Sequence, residues 1–98
     1  MTALLIGGER ITTASGGDYQ HIYPATGQPN AVVPLAGASE IERAVASGWQ
    51  AHKAWMALPV DRRRDLLIDL ADVVHEHLDE LALLNVQDYA VPVSYAGT

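Results

Sequence analysis

The chain has 98 residues, 12 acidic against 6 basic, a formal charge of −6 and no cysteine. That balance argues against a nucleic-acid partner, because phosphate binding needs a surplus of Lys and Arg, and the missing thiol excludes a disulfide framework, a Cys-based zinc site or a thiol nucleophile supplied by this chain. No run of about 18 apolar residues is present and the start lacks a signal-peptide pattern, so a soluble cytoplasmic protein without a membrane partner is expected.

The first stretch, residues 1–37, carries six glycines and three of the five prolines, which means turns and short strands. "ALLIGGERIT" reads as two strands around Gly7-Gly8, a pair that allows positive φ at both turn positions. "SGGD", Ser15 to Asp18, is a loop, and "QHIY" a strand that Pro24 ends or places at a sheet edge. Gly27 suits a positive-φ position, and "AVVPL" resumes extended structure with Pro34 fitting an edge. Small antiparallel β-hairpins forming one small sheet are expected here.

The period changes at Ser39, and residues 38–98 read as a helical hairpin and tail. Ser39-Glu40-Ile41-Glu42 matches a capping box in which the Ser39 hydroxyl caps the helix and Glu42 reaches back. Ile41, Val45, Gly48, His52 and Trp55 share one helical face, Ala44, Gly48 and Ala51 permit close approach of another element, and Pro59 stops the helix. A second helix starts near Asp61 with Arg62, Arg63 and Arg64 as a solvated beginning. Its stripe of Leu66, Leu67, Leu70, Val73, Val74, Leu78, Leu81 and Leu84 ends near Asn85. Two helices joined by "ALPVD" are expected to pack antiparallel, giving an α+β chain.

Nothing in composition or spacing makes an active site. His75 and His77 lie roughly 200° apart on a helix and cannot share a metal as an i, i+4 pair does. His52 reads as a packing residue and His21 as a surface one. Asp65, Asp69 and Asp72 read as a solvated face, with nothing to bury one and raise its pKa. "GGER" and "SGGD" lack the pattern of a phosphate loop, and Ser15, Ser47 and Ser94 lack a nucleophile elbow.

The order of features is nevertheless distinctive. "LLIGGERI", "YPATGQPNAVVPLA", "ASEIERAVASGWQAHKAWMALPVDRRRDLLIDLADVV" and "HLDELALLNVQD" together resemble the N-terminal segment of the NAD(P)+-dependent aldehyde dehydrogenase superfamily. Pro24, Ala25, Thr26 and Gly27 match its Asn-Pro-Ala-Thr-Gly turn, with Tyr23 in place of Asn. Ala44-Val45, Trp55, Arg63 and Leu70-Ala71-Asp72 also fall in place. The departures lie near the end: Asn85 where the family often has Glu, and Ala90-Val91-Pro92 for Gly-Lys-Pro. "YAG" at Tyr95 to Gly97 is a chance match, coming too early after the proline.

The resemblance implies a full-length enzyme in which a cysteine thiolate attacks an aldehyde, hydride passes to NAD or NADP, and a glutamate-activated water releases the carboxylic acid. It also implies that the thiol, general-base Glu and cofactor loops lie beyond residue 98, since a full member needs roughly 450 to 500 residues, several times a single domain. No catalytic or cofactor-binding residue and no bound cofactor is therefore expected of this chain alone. One site is implied: a structural monovalent cation held by the Ile22 backbone carbonyl and by Asp88. The expected partner is the rest of the parent polypeptide or a self-associating copy, within a homo-oligomer. The other reading is a self-standing protein-binding or assembly module. The stripe widened by Leu67 and Leu83 distinguishes them, because a fragment exposes it and associates.

Overall fold

The computed structural model describes residues 2–92 and 94. Tyr95 to Gly97, with their chance tripeptide, lie outside the described residues. The element order is β1 (Leu4–Ile6), β2 (Glu9–Ile11), β3 (Asp18–Ile22), β4 (Pro29–Pro34), α1 (Ala38–Ala57), α2 (Val60–Glu76) and α3 (Leu78–Tyr89). This is the α+β arrangement of antiparallel hairpins and helices that the sequence predicts. The chain divides into two units, Met1–Ile22 with Pro29–Ala57, and Tyr23–Gln28 with Leu58–Thr98.

In the first unit, β1 and β2 pair antiparallel with Leu4 opposite Ile11 and Ile6 opposite Glu9. That register leaves Gly7 and Gly8 as a two-residue turn with φ of +58° and +82°, the double positive-φ geometry that matches the natural strand twist. A Cβ on Gly7 would stand 3.0 Å from the Ser47 hydroxyl of α1, so β1 rests closely on that helix. β3 and β4 also pair antiparallel, from Asp18 opposite Pro34 to Ile22 opposite Pro29, with a register shift between His21 and Ile22. The four strands make two separate two-stranded ribbons rather than one sheet. Each hairpin has its own turn, and the residues between Ile11 and Asp18 form a loop that no ladder extends through.

α1 begins at Ala38, one residue before the expected capping serine. Its first backbone bond runs from the Ile41 N–H to the Gly37 carbonyl at 3.1 Å, which makes Gly37 the N-cap and places Ser39 inside the first turn. The reciprocal half of the capping box comes from Glu40, not Glu42: the Gly37 N–H donates to the Glu40 Oε2 at 3.2 Å.

In the second unit, the Tyr23–Gln28 turn closes through the Tyr23 N–H to the Gln28 carbonyl and the Gly27 N–H to the Tyr23 carbonyl, both 2.8 Å. α2 follows Pro59, whose fixed φ suits a helix start. The single helix read from the leucine stripe is two helices. His77 leaves helical geometry at φ −102°, ψ 16° and shares its N–H between the carbonyls of Val73 and Val74, each at 3.2 Å. No Gly or Pro marks this break, so periodicity runs through it unseen. α3 continues past Asn85 to Tyr89 and is capped by Ala90 in the left-handed region, φ 58°.

Candidate functional site

The most constrained polar group in the described residues is the Glu40 carboxylate. Pro34 and Glu40 are the only buried residues there, and Glu40 keeps 7% of its surface. Its Oε1 accepts from the Ser15 N–H. Its Oε2 accepts from the Ser15 hydroxyl, from the Ser39 hydroxyl at 2.7 Å and from the Gly37 N–H at 3.2 Å. The sequence places these groups together in two steps. Gly37 brings the helix start close, since a Cβ there would collide with the Ser15 hydroxyl. The Ser15 loop is tied down by the Gly16 N–H to the Leu35 carbonyl (2.9 Å) and the Leu35 N–H to the Gly17 carbonyl (2.8 Å). Donation by the Ser15 hydroxyl and then by its N–H, with the Ser39 hydroxyl next, outweighs burial and lowers the Glu40 pKa from 4.5 to about 2. The positive end of the α1 dipole favours the same charge.

Such a carboxylate is a structural anion. An acid that stays ionised to about pH 2 is too weak a base for general base work near neutrality. Sequence reasoning passed over it because Ser39-x-x-Glu42 is the stronger local pattern. The signal available was Gly37 followed three residues later by Glu40.

The predicted site residues are placed as follows. Ile22 ends β3 in the first unit, just past the register shift, opposite Pro29, which has no N–H to donate to it. Asp88 lies in the last turn of α3 in the second unit and is exposed. Among the described residues no group of three or more His, Cys, Asp and Glu stands where it could hold a metal ion. His21 Nδ1 is 2.6 Å from the Asn30 Oδ1 across the second ribbon, and His77 Nδ1 is 3.1 Å from the Glu80 Oε2. His52 packs edge-on against Trp49, ring centres 5.7 Å apart, beside an open groove of about 370 Å³ lined by Val45, Gly48, Trp49 and His52.

The N-terminus of α1 is not an open anion site. A pyrophosphate needs open N–H groups at a helix N-terminus. At α1 the Gly37 N–H is taken by Glu40, whose negative charge would repel phosphate.

The model of the aldehyde dehydrogenase family matches residues 11–98. The crystal structure of PnpE in complex with nicotinamide adenine dinucleotide is 30% identical, with a TM-score of 0.92, and covers 98% of this chain and 20% of its own. The NAD+ complex of aldehyde dehydrogenase from Bacillus cereus is 33% identical, TM-score 0.88, over 97% of this chain and 20% of that one. The NADP-dependent glyceraldehyde-3-phosphate dehydrogenase from Bacillus halodurans, complexed with NADP, is 26% identical, TM-score 0.89, over 98% and 20%. The chain thus spans about a fifth of the length of these enzymes. It belongs to the aldehyde dehydrogenase family and corresponds to an N-terminal segment of it.

Proposed function

We propose that this chain is the N-terminal structural portion of an NAD(P)+-dependent aldehyde dehydrogenase, an enzyme that oxidises an aldehyde to a carboxylic acid, and that it does not carry that reaction by itself. The observation that carries the reading is coverage without cover. The chain spans about a fifth of the enzymes it matches, and no large apolar side chain is buried among its described residues. Leu67, Leu70 and Leu84 are 56%, 58% and 46% exposed. Apolar surface on this scale calls for a protein partner. In this reading the partner is the rest of the parent polypeptide or, failing that, another copy, within a cytoplasmic homo-oligomer.

NAD or NADP belongs to the parent, and the nucleophilic thiol must come from it too, since this chain has no cysteine. The same reading assigns a structural K+ or Na+ to the Ile22 carbonyl and Asp88, with a further ligand from the parent. Asp88→Ala in an intact parent is then expected to weaken the cation dependence of its stability, and an unchanged response rejects the site.

The purified chain, given an aldehyde and NAD+ or NADP+, is expected to form no reduced nicotinamide. Co-expressed with a polypeptide carrying the remaining length of a family member, it is expected to enter a soluble complex. A monodisperse monomer that melts cooperatively would instead support the self-standing assembly module. Turnover by the chain alone would overturn both readings.

A further inference from the structure

We propose that Glu40 is a positioning residue whose carboxylate acts as an acid-released clasp, holding the Ser15 loop, and with it the start of β3, on the N-terminus of α1. The clasp joins groups far apart in sequence: Ser15 is 25 residues from Glu40, and it gives the carboxylate both its N–H and its hydroxyl. Gly37 and Ser39 complete the set from the helix side. A carboxylate suits this site because each of its oxygens must accept. A protonated carboxyl, or an amide, turns one oxygen position into a donor. If that position is Oε1, the Ser15 N–H is orphaned; if Oε2, the Gly37 N–H is. The hydroxyls of Ser15 and Ser39 can rotate to accept, but a backbone N–H cannot.

None of the four donating groups titrates. The titratable and charged groups on the elements carrying the clasp are Asp18, Tyr19 and His21 on β3 and Glu42, Arg43, His52 and Lys53 on α1, with Glu9 of β2 pairing Arg43 at 3.2 Å. The shift at Glu40 is caused by hydrogen bonds opposed by burial, with no charged neighbour among its causes. Because its folded pKa lies below the unfolded value, the clasp's contribution is fully present above pH 4.5 and is lost as the pH falls through about 2. Through the whole neutral and mildly acid range, β3 and α1 are therefore held as one piece.

The test follows the Glu40 side-chain carboxyl by carbon NMR, with amide exchange at Ser15 and Gly37, in the full 98-residue chain. The expected carboxyl midpoint is near 2, with both amides protected down to that region. Glu40→Gln should lose that protection at every pH and show no transition. Should Glu40→Gln not fold, two milder variants decide the matter. Ser15→Ala removes one donor and keeps the charge, and Gly37→Ala pushes the Ser15 hydroxyl away; each should move the midpoint up toward 4.5. A midpoint near 4.5 in the unsubstituted chain, undiminished protection in Glu40→Gln, or a midpoint unmoved by both milder variants would overturn the proposal.

Discussion

Ala90 is the one described non-glycine residue with positive φ, at 58°, and it stands where the family resemblance leads one to expect glycine. A left-handed conformation costs an L-residue about 1–2 kcal/mol, because Cβ crowds the following carbonyl. Ala90→Gly removes that crowding and keeps the capping bond from the residue 90 N–H to the Val86 carbonyl, 2.7 Å. Glycine also loosens the unfolded chain, which offsets about 0.4–1 kcal/mol. The net expected gain is about 0.5–1 kcal/mol for the last turn of α3, a slowing of amide exchange at residue 90 by about two- to fivefold. Local exchange suits the question because it reads the cap without requiring the chain to unfold in one step. Ala90→Val serves as the opposite control, since a β-branched residue fits this region worse. Exchange at residue 90 that is unchanged or faster in Ala90→Gly would refute the claim that the cap is strained.

Other substitutions test the remaining geometry. Gly27 has φ +72° with open space around a would-be Cβ, so Gly27→Ala meets only the backbone term of about 1–2 kcal/mol and should weaken protection of the Tyr23 amide by about five- to thirtyfold. At Gly16 the obstacle is steric: a Cβ would lie 2.5 Å from the Leu35 carbonyl oxygen, so Gly16→Ala should open the two bonds joining Gly16-Gly17 to Leu35, seen as loss of protection at the Gly16 and Leu35 amides. Arg43→Ala breaks an exposed ion pair with Glu9 and should change local stability by less than about 1 kcal/mol, less still at high salt, read as amide exchange in the β1–β2 ribbon.

Features written in adjacent residues were legible. Gly7-Gly8 states its own turn, Pro24 and Gly27 bound the next one, and Pro59 separates α1 from α2. The family was legible too, because it rests on the order of these same local features along nearly the whole chain. The break at His77 was not legible. It is made by a shared N–H and an off-helix φ/ψ in a residue with no breaker chemistry, while the leucine period continues on both sides.

The Glu40 clasp marks the boundary most sharply. By itself the sequence determined that a helix begins near residue 38, that a glycine and acidic residues stand at its start, and that a flexible serine-glycine loop precedes β3. Only the tertiary structure decided that Glu40, rather than Glu42, turns inward. That choice depends on where a loop 25 residues upstream arrives. Capping and periodicity act over three or four residues and are encoded there. A buried carboxylate is specified by the donors that surround it, and the path of the chain brings those donors together.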